Sequence, residues 1–223
     1  MELELIEMQT EAEPRASLIV LHGLGADGHD FVPVCQALDL AALGGLRCVL
    51  PSAPVMPVTI NGGHAMRAWF DIRHTNLGRE EDEAGLRASQ QAVEALIARE
   101  IERGIPAERI VLMGFSQGCA MTLMTGLRLP QRLGALVGLS GYLPLLALTE
   151  AERHAANQHT PIFLAHGSHD QVVVPARAEA ARAELQRLGY TPQWQSYPMG
   201  HEVCEQEIDD LSAFLQQVLG ANI

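Results

Sequence analysis

Aromatic side chains are scarce in this chain, with 2 Trp, 3 Tyr and 5 Phe among 223 residues. A core built around rings is therefore excluded. Packing must rest on Leu, Val, Ile and Ala, and a hydrophobic share of 48% is ample for that and rules out a disordered chain. Basic residues are few, 15 against 27 acidic ones, which leaves a formal net charge of -12. No Lys/Arg cluster offsets the repulsion of nucleic acid and anionic headgroups, so no nucleic-acid partner is expected. The opening MELELIEMQTEAEP lacks the basic start and apolar run of a signal peptide. No uninterrupted apolar stretch reaches membrane-spanning length. The longest apolar-rich stretch, Leu133–Leu148, is broken by Gly, Ser, Tyr and Pro. A cytoplasmic protein without a stable membrane anchor is expected. The four cysteines, Cys35, Cys48, Cys119 and Cys204, form no C-x-x-C pair and stand beside no metal-type His spacing. They read as reduced core thiols, and no metal and no cofactor are expected.

What is present is alternation. Short apolar runs at Leu18–Leu21, Cys48–Leu50, Ile110–Met113, Ala135–Leu139 and Ile162–Ala165 read as strands buried on both faces. Helix-like stretches cover about Glu81–Arg103, Gln117–Arg128, Ala176–Leu188 and Val203–Val218. Strands alternating with helices predict an α/β fold with a mainly parallel central sheet and helices on both faces. No repeat, low-complexity tract or linker divides the chain, so residues 1–223 read as one domain. The apolar, Pro-rich Pro51–Pro57 reads as an ordered loop over the core.

The chemistry centres on Gly114-Phe-Ser-Gln-Gly118, which follows a strand-like run and precedes a helix-like one. This is the G-x-S-x-G nucleophile elbow. The sharp turn projects the hydroxyl of Ser116, and side chains two positions to either side would collide with neighbouring elements. A structural Ser capping the helix is the plainer alternative. Serine needs a base, and the α/β-hydrolase order is Ser, then Asp or Glu, then His. Five histidines follow Ser116. His201 stands in a loop between the strand-like Gln193–Tyr197 and the last helix, where the base belongs. His154 and His159 lie in a polar stretch, His166 ends a strand, and His169 precedes the candidate acid. Asp170 follows the strand Ile162–Ala165 and is expected to orient the imidazole, whereas Asp209 and Asp210 ride the last helix. The backbone N–H groups of Gln117 and of Leu24, in Leu21-His-Gly-Leu-Gly25, are the expected oxyanion donors. That early loop lacks the G-K-[ST] of a phosphate cradle.

With these residues in place, the sequence resembles the bacterial carboxylesterase and acyl-protein thioesterase family over nearly its whole length. Beyond the elbow and Leu21–Gly25, the resemblance rests on Pro51-Ser-Ala-Pro54, Pro57-Val-Thr-Ile-Asn-Gly-Gly63, Ala68-Trp-Phe-Asp71, Glu81-Asp-Glu83, Gly104-Ile-Pro106, Leu139-Ser-Gly-Tyr-Leu-Pro144 and His166-Gly167 with Asp170. It implies an α/β-hydrolase fold, a Ser116–His201–Asp170 triad and a covalent acyl-enzyme. It implies substrate walls from Leu24, Trp69, Ile72, Leu77 and Val172. The expected partner is a small ester or thioester, with an acylated protein as an alternative; a homodimer is left open. The strand-like Trp69–Ile72 run leads into the polar Arg73-His-Thr-Asn76, expected to interrupt the acyl wall. That predicts short to medium acyl chains. The alternative is a depalmitoylating or lysophospholipase-like activity on longer ones. A binding module reusing the fold is the rival from another class, and fluorophosphonate labelling separates the two.

Overall fold

The computed structural model describes residues 3–74 and 80–220. Among the described residues nine strands form in chain order: β1 (Glu4–Gln9), β2 (Ala16–Leu21), β3 (Leu46–Ser52), β4 (Val55–Val58), β5 (His64–Arg67), β6 (Ile110–Phe115), β7 (Ala135–Leu139), β8 (Ile162–Gly167) and β9 (Gln193–Tyr197). The helices are α1 (Val32–Ala37), α2 (Glu83–Glu102), α3 (Gln117–Arg128), α4 (Thr149–Glu152), α5 (Pro175–Arg187) and α6 (Glu205–Gly220). Seven strands make one sheet in the order β1-β3-β2-β6-β7-β8-β9, and only β1 runs antiparallel.

Alternation along the buried strands divides the core in two. Ile19, Leu21, Ile110 and Leu112 face one side of the sheet and pack under α2, α3 and α5. Leu18, Val20, Val111 and Met113 face the other, under α1 and α6. Every residue of α3 is buried, and Gly126 lets it approach β7, since a Cβ there would overlap Leu136. The expected α/β architecture with a mainly parallel sheet is what the chain forms.

The chain leaves β2 toward β3 on one side and returns to β6 on the other. The carboxyl ends of β2 and β6 therefore flank a topological switch point, where open α/β sheets place their sites. Leu24 lies just beyond the end of β2, and Ser116 immediately follows β6.

Three segments differ from the sequence reading. The opening segment, read only for what it lacks, mixes acidic and apolar residues over Glu4–Gln9 and forms strand β1, half-exposed at the sheet edge. The presumed loop Pro51–Pro57 instead ends β3 and supplies most of β4, which pairs with β5 as a hairpin from Val55↔Arg67 to Val58↔His64. The run Trp69–Ile72 is not a strand. Side chains take its backbone groups: Gln117 bonds Trp69 N and Phe70 O, the Ser89 hydroxyl donates to Trp69 O, and Asp82 accepts from Asp71 N.

Candidate active site

The turn after β6 sets the site. Ser116 takes φ 56 and ψ -114, a left-handed conformation that a serine adopts only when its surroundings impose it. The imposition is visible. Ser116 N donates to Leu139 O at 2.8 Å. A Cβ at Gly114 would run into the Gly118 carbonyl, and one at Gly118 into the Leu21 carbonyl. The two glycines let β6, α3 and the end of β2 close tightly around the serine.

Ser116 Oγ lies 2.9 Å from His201 Nε2, and His201 Nδ1 lies 2.7 Å from Asp170 Oδ2. A carboxylate only accepts, so Nδ1 carries the proton and Nε2 is left to accept from the serine hydroxyl. Asp170 is buried, and its other oxygen accepts from Val172 N at 2.8 Å and Val173 N at 2.9 Å. Phe115 packs against the His201 ring, centroids 4.8 Å apart. The loops bearing Asp170 and His201 are tied together: Ser168 N donates to Tyr197 O and His169 N to Met199 O. Gly167 makes room, since a Cβ there would overlap the carbonyls of Met199 and Gly200.

The other histidines fall away. His22 Nε2 accepts from Ala53 N at 2.9 Å, so its Nδ1–H donates to Gly23 O at 2.7 Å. Burial pushes its imidazole below the usual histidine range, which keeps it neutral. His166 Nε2 donates to Val173 O at 2.7 Å and stands 3.4 Å from Asp170 Oδ2. Burial likewise depresses it. His154, His159 and His169 are exposed. Of the alternative acids, Asp209 is exposed and Asp210 accepts from the Tyr197 hydroxyl at 2.8 Å. Cys119 sits three residues beyond Ser116, but burial pushes its thiol up to about 12, so no thiolate competes near neutral pH. Cys35 and Cys48 are also buried free thiols, while Cys204 is only half-buried.

Leu24 borders Ser116 in both cavities that open there. Gly25 N donates to Arg67 O at 2.8 Å and so fastens this loop to β5. Trp69, expected in the substrate wall, lines neither cavity. It is buried beneath the loop, where Nε1 donates to His22 O at 2.9 Å and the indole packs on the His22 ring. Burying so large a ring supports the loop from below. The Gln117 side chain is a site residue the sequence reading missed. Oε1 accepts from Trp69 N and Nε2 donates to Phe70 O, both at 2.8 Å, which pins the segment carrying Ile72 against the start of α3. Nothing in the elbow motif signals this, because the position is free in the pattern.

One cavity, about 740 Å³, is lined by His201, Phe31, Phe115, Val203 and Glu202 among others. The second, about 430 Å³, is lined by Ile60, Ile72, Gln117, Tyr142, Val172 and Arg177 among others. Ile72 and Val172, expected in the substrate walls, line this cavity beside Ser116, and Leu77 lies outside the described residues. Arg73 and His74 line neither large cavity. They border a separate small cleft, and Arg73 is drawn aside by Asp82 at 2.8 Å and Asp71 at 3.5 Å. The other two residues of that polar run, Thr75 and Asn76, lie outside the described residues.

A sequence model described as phospholipase/carboxylesterase matches residues 3–219. Acyl-protein thioesterase 1 of Neurospora crassa is 41% identical over 218 residues, covering 93% of this chain and 89% of the relative. The crystal structure of Arabidopsis thaliana SOBER1 superposes with a TM-score of 0.87 at 31% identity, covering 92% of this chain and 99% of that one. Zea mays acyl-protein thioesterase 2 gives a TM-score of 0.86 at 26% identity, covering 97% and 99%. These relatives are eukaryotic, whereas the sequence resemblance pointed to bacterial members.

Proposed function

The chain belongs to the phospholipase/carboxylesterase family and is a serine hydrolase, and we propose that it cleaves carboxylic esters of short to medium acyl chains with Ser116 as nucleophile, His201 as base and Asp170 as its orienter. The observation that carries this reading is the hydrogen-bonded relay from Ser116 through His201 to Asp170, opening on two cavities.

In the proposed sequence, Ser116 Oγ attacks the acyl carbonyl while His201 Nε2 takes its proton. The N–H groups of Leu24 and Gln117 hold the oxyanion. Collapse of the tetrahedral intermediate breaks the ester bond, and His201 returns the proton to the departing alcohol. That group leaves on the side where His201 lines the wall, which assigns the 740 Å³ cavity to the leaving group. The 430 Å³ cavity, with Leu24, Ile72 and Val172 in its walls, then takes the acyl chain. Water, deprotonated by His201, attacks the acyl-enzyme; the acid departs and Ser116 recovers its proton. No step calls for a cofactor.

A thioester passes through the same steps with a thiol as leaving group. Relatives named acyl-protein thioesterase favour this second reading, with an acylated protein as substrate. A cytoplasmic setting is supported by the free thiols. Among the described residues, no helix is long and apolar enough to cross a membrane.

The test is Ser116→Ala. Loss of the nucleophile is expected to cut turnover on p-nitrophenyl esters by on the order of a million-fold, with an unchanged circular dichroism spectrum. Turnover within ten-fold of the parent would remove Ser116 from the role.

A further inference from the structure

Behind the 430 Å³ cavity lies another, about 330 Å³, lined by Leu143, Leu145, Leu146, Ala147, Leu148 and Ala180. The two cavities have Tyr142 and Arg177 in common, and Glu81 borders the rear one. Arg177 and Ala180 stand three positions apart on α5 and so share a face of that helix. The rear chamber is therefore walled mainly by apolar side chains, with Ala147, Leu148 and Ala180 exposed at its outer edge, and of its two charged wall residues Arg177 is the one shared with the front cavity.

We propose that Tyr142 and Arg177 form the end wall of the acyl cavity and set the length of acyl chain the enzyme accepts, with the rear chamber as latent space for a longer one. The proposal rests on the assignment of the acyl chain to the 430 Å³ cavity. Its physical basis is the contrast between two kinds of wall. From Ser116 the chain would pass Leu24, Ile72 and Val172, and each methylene taken from water there is rewarded. At Arg177 the reward stops, because an alkyl group pressed on a guanidinium strips its polar surroundings and replaces them with nothing. Glu81 adds a second charged group in the wall of the rear chamber. Its Oε1 accepts from Leu145 N at 3.0 Å, which fixes the carboxylate at the rear chamber's edge, and the Arg177 charge acts on it. Tyr142 is held by burial. Length selection thus falls to α5 and the segment after β7. The polar run after Ile72, where the sequence reading put it, has Arg73 turned away to Asp82.

The experiment is a profile of kcat/KM over p-nitrophenyl esters from acetyl to palmitoyl, each below its micelle concentration and normalised to that variant's acetyl rate. The parent enzyme is expected to gain up to about four-fold per added carbon and then to break to a plateau or decline. Arg177→Met should move the break to longer chains, raising normalised kcat/KM beyond the parent's break by on the order of ten-fold. Arg177→Ala gives the same readout if Met is poorly accommodated, and Arg177→Lys, which keeps a charge at the wall, should leave the break in place. Adding Leu146→Trp to Arg177→Met should return the break to the parent's position by filling the rear chamber. Ile72→Trp, in the front cavity, should shorten the profile. If Ile72→Trp shortens it but both Arg177→Met and Arg177→Ala keep the parent's break, the end wall lies elsewhere and this proposal fails alone. If Ile72→Trp changes nothing, the acyl chain does not occupy the front cavity, and the assignment beneath the proposal fails with it.

Discussion

Asp170 illustrates how much of the site is decided by single atoms. One oxygen is saturated by the Val172 and Val173 amides, which fixes the carboxylate plane and leaves Oδ2 for His201. Replacing that oxygen with an amide nitrogen would present a donor to Nδ1 and force the other tautomer, with Nε2 protonated toward Ser116. Asp170→Asn is therefore expected to lower kcat by roughly ten-thousand-fold with little change in fold. Asp209→Asn should be near the parent. Steady-state kinetics of the two variants checks this, and an active Asp170→Asn beside a dead Asp209→Asn would reverse the assignment. At this scale the sequence was informative where chemistry dictates chain order. Ser116, Asp170 and His201 could each be chosen by what precedes and follows them. It named Gln117 for its backbone and Trp69 as a substrate wall, and missed that both side chains bond backbone groups 47 or 48 positions away. No local pattern records such a partner.

At the scale of elements, the long buried strands and α3 were legible because burial on every side leaves an unbroken apolar signature. Gln117–Arg128 and Ala135–Leu139 fall where the pattern put them. The β4–β5 hairpin was not. Its strands have four residues each and one contains Pro57, so neither presents enough alternation to register. The edge strand β1 is tied down by charge that hydrophobic patterning cannot reveal. Glu7 on β1 accepts from Arg99 of α2 and from Arg103 just past its end, and Arg103 also bonds Glu100. Glu100 in turn meets Arg47 of β3 at 2.9 Å, both side chains almost fully buried. Removing one member strands the other's charge, which typically costs about 3–5 kcal/mol. Glu100→Gln is expected to lose about that much stability in urea unfolding. The double variant Arg47→Met/Glu100→Leu should recover most of it. A single variant within about 0.5 kcal/mol of the parent would mean the pair contributes nothing net.

Over the whole molecule, acidic residues outnumber basic ones by 27 to 15, and one of them lies fully buried. Glu207, on α6, is fully buried, and the Cys204 backbone is the polar group that favours its charge, against a larger penalty from burial. Burial pushes its carboxyl from the ordinary 4.5 up to about 8. The folded protein therefore holds this proton across a range where the unfolded chain has released it. Stability from this group is full below about 4.5 and is lost as pH rises through about 8. The total is on the order of 5 kcal/mol. Glu207→Gln, which cannot ionise, should gain stability relative to the parent as pH is raised from 5 to 9. Urea unfolding of both proteins across that range measures the difference, and parallel curves would refute the burial argument.

The same fold that buries Glu207 delivers Ser116 to the crevice between β2 and β6, and the account stands or falls on what that serine does. The most direct measurement is fluorophosphonate labelling of the intact protein, followed by peptide mass mapping and an assay of the remaining ester hydrolysis. A single adduct on Ser116, with activity lost in proportion to labelling, is the predicted result. An adduct on another residue with Ser116 unmodified, or full hydrolysis by protein quantitatively labelled at Ser116, would contradict it.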